Sequence, residues 1–331
     1  MLIPLHGEWF HEDAPHLGAI NSLCATIAHL ERRHPGCIPA LRSHPTLLIG
    51  SDYSGFHQEA QFQVTSLLIT NFELIGPWDR HRVHLREQYL PQQRRMSYKA
   101  LNDGHRRAAL LPFLALANQI PGLLVNVAID KSVATIFDGF DASAQSDYHL
   151  LFEGWKSAPI ERAMRTIHFA SVLLRGLSCA GQDVWWFTDQ DEIVANEQRL
   201  RSFVSATANV SSRYLPHDLR QMRIGTTASD SGRRDIEDFV AIPDLAAGAL
   251  QEVLNRGYAR PLLDAPSLFV PSREELGSKV RRLMDWFADN TQPLQRLTLV
   301  IDEPEAGHPR ITAFRFHGSR DDDATSVVRL G

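Results

Sequence analysis

The sequence predicts an α/β protein, a mixed sheet with helices on both faces. Three observations carry that reading. Five short apolar runs rich in β-preferring residues recur along the chain. The first three are spaced so that they can fold back on one another as an antiparallel meander, whereas the later ones alternate with helical periodicity. Parallel neighbours need crossovers of that kind. Finally, 331 residues at 44% hydrophobic and 22% charged describe an ordinary globular chain, long enough for one large domain with insertions or two modest ones.

An amphipathic helix is expected over 14–36. Leu17, Ile20, Leu23, Cys24, Ile27 and Leu30 fall at helical spacing, and Arg32-Arg33-His34-Pro35-Gly36 stops it. His6, His11 and His16 recur every five residues, a spacing that does not hold one helix face, so they read as scattered surface histidines. The first strand is Thr46-Leu-Leu-Ile-Gly-Ser-Asp52, followed at once by Tyr53-Ser54-Gly55. It delivers a carboxylate to its C-terminal end, which is costly there unless a positive group sits beside it. The bland reading is a turn acid that accepts the Ser54 and Gly55 amides. Phe62–Thr70 is a second strand and a hairpin partner for the first.

Residues 78–119 read as a helical insert, with Ala108–Asn118 apolar enough to be a buried helix. Arg80, Arg82, Arg86, Arg94, Arg95, Lys99, Arg106 and Arg107 make it the most basic part of a chain of net charge −5. A solvated helix face and a phosphate-facing surface account for this run equally well. A third strand, Gly122–Asp130, also ends in an acid; turn-rich sequence follows at 138–147, then a long helix over 158–178. Asp183–Thr188 is the fourth strand, leading into Asp189-Gln190-Asp191-Glu192, and a helix is expected from about Asn196 to Ala208. Leu219–Thr227 is the fifth strand. The last core helix spans Asp238–Leu250, with Pro243 and Asp244 in its first turn.

Three regions follow: an N-terminal helical extension over 1–45, a core over 46–260, and a C-terminal extension over 261–331. In the extension, Ser272-Arg-Glu-Glu275 is a capping box. Leu276, Val280, Leu283, Met284 and Phe287 give the helix its buried stripe, and Leu297–Ile301 with Ile311–Phe316 form a hairpin. Asp321-Asp-Asp323 belongs to a solvated tail.

The core order, β-β-insert-β-α-β-α-β-α, is the topology of the ribonuclease H-like fold. In it the first and fourth strands are neighbours and the last helix packs back on them. Asp52, Asp189 or Asp191, and Asp244 are thereby gathered at one edge. Carboxylates so gathered cannot all stay ionised without a counter-charge, and Mg²⁺ or Mn²⁺ supplies it through hard oxygen ligands. With two ions ~4 Å apart, one acidifies the attacking water and the other stabilises the leaving 3′-oxygen. Asp52 is assigned as the bridging ligand and Asp189 and Asp244 as ligands of one ion each. Asp191 and Glu192 are alternatives to Asp189. Lys99 neutralises the scissile phosphate or orients the nucleophile. Asp130 is a weaker candidate, since strand-end acids commonly cap turns. Singly, each residue has a structural explanation: a helix-dipole acid for Asp189–Glu192 and Asp244, an exposed helix lysine for Lys99.

Ile49-Gly-Ser-Asp52-Tyr-Ser54-Gly55 resembles the D-x-S-G strand that opens a large family of uncharacterised ribonuclease H-like proteins. Ile242-Pro243-Asp244-Leu245-Ala246-Ala247-Gly248 resembles that family's closing A-D-L-x-A-G helix, and Tyr98-Lys99 lies where the family often carries a lysine. The resemblance covers about residues 46–256. It departs at Pro243, where alanine is usual, and at Tyr53, where an acid is common. It implies a metal-dependent phosphodiesterase or nuclease, often in mobile-element or defence settings.

The expected partner is therefore a nucleic acid, DNA or RNA, with a protein partner or a second copy of the chain as further options. A membrane is not expected. Three cysteines at unrelated spacings, and a start without a basic n-region, point to a reducing, cytoplasmic setting. The rival reading is a ribonuclease H-like scaffold without metals that binds nucleic acid or protein through the 80–107 basic face. No G-x-G-x-x-G, P-loop or nucleophile-elbow motif is present, and Ser54 with His57 does not make a defensible nucleophile–base pair.

Overall fold

The computed structural model describes residues 8–9, 17–133, 135–137, 151–257, 267–269, 277–305, 308–318 and 325–329. The expectations for His6, His11, His16, 138–147, Ser272–Glu275 and Asp321–Asp323 lie outside these residues.

One nine-stranded mixed sheet organises the chain, with order β5-β4-β1-β2-β3-β7-β8-β9-β6. The first three strands, β1 (Thr46–Ser54), β2 (Phe62–Asn71) and β3 (Gly122–Asp130), form the expected antiparallel meander. Strand β4 (Asp183–Thr188) lies parallel to β1 with Ser51 opposite Thr188, and β5 (Gln221–Thr226) lies parallel to β4. This part of the sheet is consistent with the ribonuclease H-like topology expected from the sequence.

Seven helices flank the sheet among the described residues: α1 (Gly18–Arg33), α2 (Gly76–Tyr89), α3 (Gly104–Ala117), α4 (Ser157–Leu177), α5 (Glu197–Tyr214), α6 (Asp235–Gly257) and α7 (Ser278–Ala288). Alternation along the strands splits the core in two. Leu47, Ile49, Leu67, Ile69, Val125 and Val127 pack under α1, α4 and α5. Leu48, Leu68, Leu124 and Ala128 pack under α2, α3, α6 and α7. All nine residues of β3 are buried, as a strand covered on both faces requires.

The structure departs from the sequence reading in three places. The C-terminal segment forms the expected hairpin, β7 (Leu294–Glu305) antiparallel to β8 (His308–Gly318), but not as a separate extension: β7 pairs in parallel with β3, and β8, β9 (Thr325–Arg329) and β6 (Ser267–Phe269) extend the same sheet. Helix α6 begins at Asp235, so Pro243 and Asp244 lie in its interior rather than its first turn. In the loop before it, the Asp230 carboxylate accepts the N–H groups of Gly232 and Arg234 at 2.9 and 2.8 Å and that of Glu237, in the first turn of the helix, at 3.4 Å. In the basic insert, Arg82 and Arg86 turn inward, and both guanidiniums bond the buried Asp238 of α6, at 3.1 and 2.6 Å. They tie the insert to the core, a use that neither a solvated face nor a phosphate-facing surface describes.

Candidate metal centre

Asp52 is the third residue from the end of β1, on the face covered by α6, in a row with Ser66 of β2 and Asn126 of β3. Its relative exposure is 9%, and it accepts the N–H of Tyr53 at 2.5 Å. Burial pushes its pKa well above the ordinary carboxylate value, and the charges of Asp244, Asp189 and Asp191 push it further. The leading influences on Asp52 include no cation. Residues 52, 189, 191 and 244 are thus brought within electrostatic reach of one another, although they come from a strand end, a loop and a helix.

Asp244 enters from α6. Its carboxylate accepts the main-chain N–H of Tyr98, the first residue of the 3₁₀ turn Tyr98–Ala100, at 2.7 Å. Burial raises its pKa to about 6 despite that bond, Asp189 adds to the rise, and Lys99 and Arg95 oppose it. One turn further along α6, Gly248 leaves room for the Tyr98 ring: a Cβ there would stand 2.3 Å from it. A turn beyond that, Glu252 accepts the Tyr98 hydroxyl. Asp244, Gly248 and Glu252 form one stripe on the helix, and the stripe fixes the turn that carries Lys99. The spacing of Asp244 and Gly248 thus has a physical account: the acid and the glycine hold the same tyrosine. Lys99 itself is exposed.

Beyond β4, Asp189 is already partnered. It accepts the Thr227 hydroxyl at 2.7 Å and a guanidinium N–H of Arg95 at 2.9 Å. Arg95 also lies 3.2 Å from Glu237 of α6, so it bridges the loop and the helix. Neither Arg95 nor Glu237 was marked individually by the sequence; Arg95 was one of eight cations in a run. Asp191 accepts the N–H of Ile193 at 2.8 Å. Burial raises its pKa to about 6 against that bond. Burial raises the pKa of Tyr53, and Asp191 and Asp52 raise it further; its side chain turns to the opposite face of β1 and bonds Ser51 and Thr188 at 3.1 Å each. Glu192 leaves the group and pairs with Arg162 of α4 at 2.7 Å. Asp130 accepts the N–H of Ser132 at 2.8 Å, the turn-capping role that its bland reading gives it.

Among the described residues, no three His, Cys, Asp or Glu side chains close into a ready-made metal cage. The donor set nevertheless fits a hard divalent cation in chemistry and charge. Asp52 and Asp244 are desolvated carboxylates, and the charge of Asp244 adds to the proton affinity of Asp52; Mg²⁺ and Mn²⁺ take such oxygens. Helix-interior Asp244 gains nothing from the helix dipole, which acts within the first turn. That removes one of its structural explanations.

No family model matches this chain, and no curated protein is significantly similar to it. No helix among the described residues is long and apolar enough to cross a membrane.

Proposed function

We propose that this chain is a metal-dependent phosphodiesterase that cleaves nucleic acid in a reducing cytoplasm, using Mg²⁺ or Mn²⁺ held by Asp52 and Asp244 with Asp189 or Asp191. The observation that carries the reading is the buried Asp52 carboxylate at the end of β1, whose proton affinity is raised by burial and then by the charges of Asp244, Asp189 and Asp191. A bound divalent ion supplies an acidified water and a positive charge for the leaving oxygen. The chain's own residues do the rest. The Tyr98 amide orients Asp244, and the same turn presents Lys99 towards an incoming phosphate. Arg95 holds Asp189 in the resting state and is within reach to follow the phosphate's charge instead. The two motifs that resemble those of the ribonuclease H-like family support the same reading.

The second reading, a scaffold that binds without cleaving, is favoured by the Arg95–Asp189 pair, which already neutralises one of the acids. Calorimetric titration with Mn²⁺ and cleavage assays on DNA and RNA separate the two. The wild type is expected to take up Mn²⁺ and cleave. Asp52→Asn is expected to lose both, with a melting temperature unchanged or higher in the absence of metal. A wild type that gives no carboxylate-dependent heat overturns the proposal.

A further inference from the structure

The cations of the insert that do not turn inward gather with those of α7 in one strip beside the carboxylates. Segments 94–107 and 278–282 carry eight lysines and arginines and a single acid, Asp103, in a chain of net charge −5. We infer that this strip holds the sugar–phosphate backbone of a nucleic acid and leads it to the acids. The inference rests on the proposed function for the choice of polyanion.

The strip is assembled from segments far apart in sequence. It starts at Arg95, whose guanidinium donates to Asp189 at 2.9 Å. The Arg95 carbonyl accepts the Nε–H of Arg106 at 2.6 Å, which ties that loop to the first turn of α3. The Arg107 carbonyl accepts a guanidinium N–H of Arg282 at 3.4 Å, which brings in α7. A second contact joins α7 to the site. The Lys279 ammonium stands 4.1 Å from the centre of the Tyr98 ring, and Tyr98 is the residue whose amide holds Asp244.

Acids account for only part of this charge. Arg94 and Arg106 share Asp103 at 3.2 and 3.5 Å, Arg95 pairs with Asp189 and Glu237, and Lys279 pairs with Glu252 at 3.5 Å. Lys99, Arg107, Arg281 and Arg282 form no ion pair with another described residue. Lys99 and Arg107 are exposed, and Arg281 and Arg282 are half-buried. Arg282 is held by a main-chain carbonyl, which places the guanidinium without cancelling its charge. Like charges gathered in this way repel one another and cost the compact state free energy. A face meant only for water would carry its cations spaced among the chain's 39 acids.

A row of cations is best neutralised by a row of anions. Phosphodiesters supply one, and contacts to them set register and orientation without reading the bases. The row also ends in the right place. Lys99 and Arg95 are the cations whose charge reaches the Asp244 carboxylate, so a backbone lying on the strip arrives at the proposed metal ligands.

The test is fluorescence anisotropy of a labelled oligonucleotide, as single strand and as duplex, with the full-length protein in EDTA over about 50–200 mM KCl. The slope of log affinity against log salt counts the phosphates engaged. Arg107→Gln, Arg281→Gln and Arg282→Gln are each expected to weaken binding about fivefold at 0.1 M salt and to lower the slope by about 0.7–0.9. The triple variant is expected to lower it by about 2–3. Arg282→Lys is expected to keep both affinity and slope, since a point charge serves a phosphate. Arg201→Gln, on α5 across the sheet, removes the same charge from an exposed pair and is expected to change neither. No binding at 50 mM salt, an unchanged slope in the triple variant, an equal effect of Arg201→Gln, or stronger displacement by poly-glutamate than by unlabelled oligonucleotide overturns the inference. A lowered slope in a protein that never cleaves removes the proposed catalysis and leaves the strip, whereas cleavage with unchanged slopes does the reverse.

Discussion

The main-chain N–H of Tyr98 donates to the Asp244 carboxylate at 2.7 Å across 146 positions of sequence. That bond joins the insert to the last core helix at the point where the acids meet. Gly248 lies one turn away, under the tyrosine ring.

Gly248→Ala tests this clamp. The new methyl group would fall on ring atoms of Tyr98 rather than on the tip of a flexible chain. A loss of about 1–3 kcal/mol is expected, the usual cost of overpacking, read from the urea midpoint. Mn²⁺ uptake should weaken as well, because the turn bearing Lys99 moves with Tyr98. Unchanged stability would mean that the ring has another place to go.

Arg95→Met tests the resting state of Asp189. The pair is half-exposed on both sides, so it is worth no more than about 1 kcal/mol. Removing the guanidinium frees Asp189 for a cation, and Mn²⁺ affinity should rise by up to about fivefold in calorimetry. A fall in affinity would show that Arg95 shapes the pocket rather than competes for it.

Asp238 gives a pH dependence. Burial raises its pKa to about 6, with Arg86 and Arg82 opposing the rise. Its folded value exceeds the unfolded one, so the folded state binds the extra proton. The stability linked to that proton is complete below about pH 4 and is lost as pH rises through about 6. In Arg86→Met the carboxylate keeps one cation fewer, its pKa climbs, and the loss extends upwards. The stability gap between wild type and variant should therefore widen between about pH 5 and 8, measured by urea unfolding. A gap that is flat over this range would count against the ion pair.

Truncation after residue 276 tests whether the C-terminal strands belong to the core. It would leave β3, with its nine buried residues, as an open edge. Exposed apolar edges pair with other chains, so the fragment should be aggregated by light scattering. A monomeric, folded fragment would mean that the core closes without β7.

The strands were legible in the sequence because each is a continuous apolar run, and Thr46–Asp52 and Gly122–Asp130 were found almost to the residue. The electrostatic influence of Asp189 and Asp244 on Asp52 could be anticipated because, in this element order, the ends of β1 and β4 are neighbours and the last helix packs on them. Other features leave no local trace. Parallel pairing of β3 with β7 joins segments far apart and is set by tertiary packing. Pro243 usually marks a first helical turn, but burial of Phe239, Ile242 and Leu245 extends α6 on both sides of it. A run of arginines does not say which members face inward. Arg82 and Arg86 do so because Asp238 waits beneath them, and Arg95 lies beside Asp189 while also pairing with Glu237 of α6.

Strand β1 sits between β2 and β4, and the hydroxyl of Thr188 reaches the Ser51 carbonyl across 137 positions. On the ribosome, at roughly 5–20 residues per second, β1 therefore waits on the order of ten seconds for its second neighbour. Throughout that interval the hydrogen-bonding edge of β1 that β4 later covers is open, an edge of the kind that pairs with other chains.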